Sequence, residues 1–226
     1  MFSLLWAEST NSSPADPGVP QPIASRDRCL FVNCPFDDHF KPLFDAIVFT
    51  AAACGLTVRS ALEVSDSGEV RLQKIVRLIE GSRFSVHDLS RIELDTTSQL
   101  PRFNMPIELG IALGMKWLGR KALRNHAMLV LDSERYRYQT FASDLAGTDI
   151  AAHGNRPAAA IAATRNFLST HLSELPTDDA IIALYDIFER SLPNLARLAR
   201  QKVAQMTFID RLRHVEQFIA SAGTDQ

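Results

Sequence analysis

Apolar positions along this chain follow two alternating patterns. Short apolar runs at Cys29-Leu30-Phe31-Val32, Leu56 to Leu62, Phe84 to Asp88 and Ala127 to Leu131 read as buried strands, with a short fifth at Asp149-Ile150-Ala151. Between them the period becomes helical. Leu43, Phe44, Ile47, Val48 and Ala51 share one face after a start at Asp37 or Asp38, and Gly55 supplies the stop. Leu72, Ile75, Val76 and Ile79 form the inner face of a helix over 70–80, which leaves Arg71, Lys74 and Arg77 on a solvated outer face. Two more helices are predicted over 104–117 and 157–171. After Pro176 the strands stop. Asp178-Asp179 are placed to cap a helix over 180–191, interrupted at Pro193, and another helix is predicted over 208–220.

Strands alternating with helices imply βαβ units with right-handed crossovers. The fold class that follows is α/β: one parallel sheet of about five strands, helices on both faces, and a C-terminal helical extension. Three segments are expected. Residues 1–27, rich in Ser, Asn and Pro (Pro14, Pro17, Pro20, Pro22), form a flexible leader, since they lack the apolar content that offsets ordering entropy. Residues 28–175 form the α/β domain. Residues 176–226 form the extension, suited to cover a sheet edge or to make a homo-oligomer contact.

Composition narrows the function classes. With 226 residues, 46% of them hydrophobic, the chain can bury one core plus a helical appendage. A formal net charge of -2 argues against charge-driven binding to nucleic acid or to an anionic membrane. The apolar start Met1-Phe2-Ser3-Leu4-Leu5-Trp6 is too short for a membrane span and lacks the basic flank of a signal peptide. Cys29, Cys34 and Cys54 cannot all pair within one chain, and their spacing fits no zinc module, so reduced, buried thiols in a cytoplasmic protein are expected. The six histidines are scattered without paired spacing, and no glycine-rich phosphate loop is present. No metal or cofactor is therefore expected.

In open parallel sheets, ligands bind beyond the carboxyl ends of the strands. Polar residues gather at those ends: Asn33, Cys34 and Asp38 after the first strand, Glu63 and Asp66 after the second, Asp88, Ser90 and Arg91 after the third. The helix opening Asn104-Met105-Pro106-Ile107-Glu108 adds a carboxylate. Asn104 is a good N-cap, and Pro106 is tolerated in a first turn. Glu108, four residues on, shares the face of Asn104 near the positive end of the helix dipole, which favours its charge by roughly 0.3–1 kcal/mol. An anion there can stabilise an oxocarbenium-like sugar or attack its anomeric carbon. Its neighbours Ile107, Leu109, Ile111 and Leu113 make a merely solvated glutamate a poor fit. Gly110 and Gly114 cost the same helix about 1 kcal/mol each, and the expected return is close approach to the sheet, ahead of room for a ligand. Asp88 is suited to ribose hydroxyls and Arg91 to a phosphate, while Asn33, Pro35 and Phe36 can line a pocket with backbone groups and an aromatic wall. Cys34 has no accompanying histidine signature of a nucleophile.

Phe31-Val32-Asn33-Cys34-Pro35-Phe36, Ser85-Val86-His87-Asp88 and Asn104-Met105-Pro106-Ile107-Glu108-Leu109-Gly110-Ile111-Ala112-Leu113-Gly114 together resemble the nucleoside 2-deoxyribosyltransferase and TIR-like superfamily. The chain also looks like a bacterial family of TIR-like proteins with the same Arg-Phe-Asn-Met-Pro segment. The resemblance covers roughly 28–131 and is most specific at the glutamate segment. It implies a flavodoxin-like sheet and an N-glycosidase or N-ribosyl transferase acting on NAD or a related nucleotide or nucleoside. In that reading Glu108 is the catalytic carboxylate and Asp88 a sugar-contacting acid. Asn33, Pro35 and Phe36 shape the nucleobase side, and Asp38, Ser90, Arg91 and Asn104 complete the substrate site. The alternatives are a module that binds a nucleotide signal without chemistry and a TIR-like assembly module. Asn33, Asp88 and Glu108 are expected to converge on one cleft.

Overall fold

The computed structural model describes residues 25–63, 66, 68–94, 100–101 and 103–223. Residues 1–24, most of the expected leader, lie outside the described residues. Residues 25–27 belong to the fold: a 3-10 turn spans Arg26–Arg28, and Arg26 donates to the Glu80 carbonyl and to Asn125.

Five strands, β1 (Cys29–Asn33), β2 (Thr57–Ser60), β3 (Phe84–Asp88), β4 (Ala127–Asp132) and β5 (Ile150–Ala152), form one sheet in the order β2-β1-β3-β4-β5, every pair parallel. Every residue of β1 and β3 is buried, as an apolar run demands of a sheet covered on both faces. The fold is α/β and consistent with a flavodoxin-like arrangement. From β1 the chain runs outward to the β2 edge and then returns to β3 on the other side of β1. The strand order therefore reverses between β1 and β3, and in open parallel sheets the crevice that takes a ligand lies at the strand carboxyl ends of such a reversal.

One face carries α1 (Lys41–Ala53) and α4 (Pro157–Ser169), backed by α5 (Asp178–Leu198) and α6 (Phe208–Gly223). Leu30, Val32, Phe84 and Val86 point into this layer. Every residue of α1 from Leu43 to Ala51 is buried, because helices cover its outer side as well as the sheet its inner one. The opposite face carries α2 (Arg71–Glu80) and α3 (Asn104–Leu118), whose Ile75, Leu78, Ile79 and Ala112 pack with Phe31.

Several local expectations change. The helix at Pro193 is not interrupted: α5 runs through it, because Phe188, Leu192 and Ala196 continue a buried stripe. That burial offsets the roughly 3 kcal/mol that an interior proline costs. Thr177, rather than Asp178 or Asp179, caps α5 by accepting the Ala180 N–H. Between β4 and β5, where the sequence pattern predicts no element, the chain makes two 3-10 turns, Arg137–Thr140 and Ser143–Leu145. Ile181, Tyr185, Phe188, Leu212 and Val215 of the extension join the same core as β1 and α1. A Cβ at Gly110 or Gly114 would meet nothing within 4 Å, so close packing explains neither glycine. No helix among the described residues is long and apolar enough to cross a membrane.

Candidate functional site

The crevice between β1 and β3 is built on a paired position. Asn33 and His87 are register partners, and the Asn33 side-chain nitrogen lies 3.1 Å from His87 Nδ1. Over them sits Glu108, on the second turn of α3 and only 4% exposed. Its Oε1 lies 3.8 Å from Arg71 Nε, the first residue of α2, and the Arg71 guanidinium also covers the Phe36 ring at 5.6 Å. Glu108 Oε2 and Asn33 Oδ1 are both buried without a hydrogen-bond partner. Leaving such an acceptor unpaired costs about 1–3 kcal/mol, more when it is charged. Both acceptors lie at the β1/β3 reversal, and each needs a donor from outside the protein's own side chains, a water or a ligand.

Burial pushes the Glu108 carboxyl above its ordinary value, and Arg71 first, then the Asn33 amide beside it, pull it back down. The sign has two consequences. The folded state holds this proton more tightly than the unfolded chain, so Glu108 makes the protein less stable as pH rises through its raised value. Any chemistry that needs the anion runs the other way, with an acid limb above the ordinary 4.5. We expect Arg71→Met to move that limb to still higher pH, as read from a pH–rate profile. An unmoved limb would show that Arg71 does not act on Glu108.

A chain of buried polar groups runs from the crevice along β3. His87 Nε2 lies 2.9 Å from Ser85 Oγ, which is 2.8 Å from His126 Nε2, and His126 Nδ1 is 2.9 Å from the Ser82 carbonyl. Burial is the main cause lowering the His87 ring to about 3 and the His126 ring to about 4. Both rings are neutral at physiological pH. The sequence pattern gave no sign of this chain, whose members are brought together by the fold from positions up to 44 residues apart.

Asp88 is elsewhere. Successive strand residues point to opposite faces, so His87 faces the crevice and Asp88 the α1/α4 layer. There Asp88 is fully buried, with Oδ1 accepting the Ser90 N–H and hydroxyl and Oδ2 at 3.0 Å from His153 Nε2. His153 Nδ1 accepts the Asn155 N–H, which leaves the ring proton on Nε2 for Asp88. Asp88 and Ser90 therefore satisfy each other and do not share the crevice with Glu108.

The remaining candidates are spread along the same edge. Arg91 is part-exposed and pairs with Asp37 at 3.4 Å. Asn104 is the first residue of α3, exposed, with Phe103 in the capping position. Pro35, Phe36 and Asp38 line a cavity of about 170 Å³, together with Phe44, Met206 and Phe208, and Phe36 also lies under Arg71. Glu63 is bound by Arg59 and is not available to a ligand. Of the three basic residues read from periodicity as solvated, Lys74 is 8% exposed, while Arg71 and Arg77 are each about half exposed, Arg71 beside Glu108 and Arg77 bound to Glu69 at 2.9 Å. Cys34 is fully buried and its thiol is held well above its ordinary value by burial, which leaves it inert as a nucleophile. Among the described residues no group of three or more His, Cys, Asp or Glu is placed to hold a metal ion. Comparisons with protein-family models, curated proteins and solved structures find no match to this chain.

Proposed function

We propose that this protein cleaves or transfers the N-ribosyl group of NAD or a related nucleotide or nucleoside, with Glu108 as the carboxylate facing the anomeric carbon. The observation that carries the reading is the buried Glu108 oxygen without a partner at the strand-order reversal. The resemblance of the Glu108 segment to deoxyribosyltransferase and TIR-like proteins adds to it. In the reaction the bond from C1′ to the base nitrogen breaks and its electron pair leaves with the base. Positive charge develops on C1′ and the ring oxygen. Glu108, ionised in a site that burial makes poorly screened, stabilises that charge or bonds to C1′, and water or a second acceptor then completes the transfer. Phe36, 37% exposed, offers a ring for the base to lie against. Arg71, about half exposed, is suited to the phosphate of a nucleotide once it leaves Glu108.

Arg71 is also the observation that favours the second reading, a module that binds a nucleotide signal without turning it over. Incubating the protein with NAD and a panel of nucleosides, with chromatography of the products, separates the two. We expect free base from at least one member of the panel. Tight nucleotide binding with no base released from any member would establish the binding module instead.

A further inference from the structure

We infer that Asn33 presents its side-chain carbonyl oxygen to the crevice as an acceptor reserved for a ribose hydroxyl, held so by a one-way hydrogen-bond chain through His87, Ser85 and His126. The inference rests on the N-ribosyl reading of the Glu108 crevice and names the sugar that it takes.

The direction of the chain is fixed from its far end. The Ser82 carbonyl can only accept, so His126 Nδ1 at 2.9 Å carries a proton. A neutral ring then has a lone pair on Nε2, which receives the Ser85 hydroxyl proton at 2.8 Å. That hydroxyl has no second proton to give, so at 2.9 Å it accepts from His87 Nε2. His87 is left with a lone pair on Nδ1, and only the NH2 of Asn33 can satisfy it at 3.1 Å. Turning the Asn33 amide over would set oxygen against that lone pair. Reversing every bond to accommodate it would end with His126 Nδ1 and the Ser82 carbonyl as two facing acceptors. Charging a ring would relieve the conflict, but burial holds both rings far below neutrality. Asn33 Oδ1 therefore points away from His87, and the protein gives it no donor although the residue is 1% exposed.

Its companion is Glu108 Oε2, also buried and without a hydrogen-bond partner by distance and angle, beside the Asn33 amide that lowers the Glu108 carboxyl. Two such acceptors repel a phosphate, a carboxylate or a carbonyl oxygen, and they fit a ligand that brings donors. A ribose with its 2′- and 3′-hydroxyls brings two. A 2′-deoxyribose brings one and leaves a buried acceptor unpaired, the situation in which binding sites discriminate most strongly. Asn33 is in this sense a specificity residue, and Ser85, His87 and His126 are positioning residues that act through it.

Two measurements on the full chain test this. Long-range proton–nitrogen NMR reads histidine tautomers directly and needs no variant. We expect His126 protonated on Nδ1 and His87 on Nε2, both neutral from pH 5 to 8; the opposite tautomer of either ring overturns the chain. Calorimetric titration then compares nicotinamide riboside and adenosine with their 2′-deoxy counterparts. Ribosides should bind about ten- to a hundredfold more tightly. In Ser85→Ala, where His87 is free to change tautomer and Asn33 to turn, that ratio should fall towards one. Equal binding within each pair, binding of none of the four, or an unchanged ratio in Ser85→Ala would each overturn the assignment. A riboside preference without release of base would leave it standing and would remove only the glycosidase reading.

Discussion

Under the proposed N-ribosyl chemistry, Glu108→Gln is expected to lower base release by about a thousandfold or more, while the protein melts at the same temperature or higher. The amide keeps the size of the side chain and one oxygen acceptor, but it loses the charge that a developing ribosyl cation needs opposite it. Removing one preorganised electrostatic partner typically costs about 10²–10³ in kcat, and more where the group also forms a bond to C1′. Stability moves the other way. Glu108 is a buried carboxylate with one oxygen unpaired and the other 3.8 Å from a half-exposed arginine, and burial already raises its carboxyl. Its ionised form is a cost to the fold above that raised value. Removing the charge stabilises the fold at neutral pH by 0 to about 2 kcal/mol, as functional sites commonly trade stability for activity. Thermal melts, ligand binding and turnover, measured separately on both proteins, check this; loss of binding and stability together would make Glu108 structural.

Asp88→Asn has the reverse outcome. Asp88 oxygens accept from the Ser90 N–H, the Ser90 hydroxyl and His153 Nε2, all in full burial. An amide must turn its NH2 either to the Ser90 N–H or to His153, and both are donors. His153 cannot change tautomer to help without losing the Asn155 N–H on Nδ1. The expected loss is about 2–4 kcal/mol of stability. For a chain of this size that is a fall in melting temperature of roughly 5–15 °C. Turnover per folded molecule should stay within a few-fold, since Asp88 faces the α1/α4 layer. A normal melting temperature with turnover abolished would return Asp88 to the site.

These opposite outcomes also mark what the sequence could and could not convey. β1, β3 and β4 are legible because buried parallel strands leave apolar runs, whereas β2 and β5 are partly exposed and carry a weaker signal; α3 is legible because Asn104 to Glu108 combines a first-turn proline with a carboxylate in an apolar helix. Grouping Asp88 with Glu108 followed from both lying at the carboxyl edge of the sheet. It overlooked that the residue beside Asp88, His87, is the one that shares the Asn33 face. Arg71 was hidden for a different reason. Helical periodicity assigns a face, yet Arg71 is the first residue of α2, at the sheet edge, where its long side chain reaches over Phe36 to Glu108. The His87–Ser85–His126 chain has no local signal at all, because His126 arrives from a loop 41 residues beyond Ser85. Pro193 misled in the opposite sense: a strong local rule yielded to the buried stripe of α5.

A crystal structure of Glu108→Gln with nicotinamide riboside bound tests the central claim most directly. The account predicts the sugar in the β1/β3 crevice, C1′ facing the side chain at position 108, a ribose hydroxyl within hydrogen-bonding reach of Asn33 Oδ1, and Arg71 moved off the carboxyl position. The same ligand lodged elsewhere, with Arg71 still lying over Phe36 and the crevice between Asn33 and position 108 without it, would contradict the account.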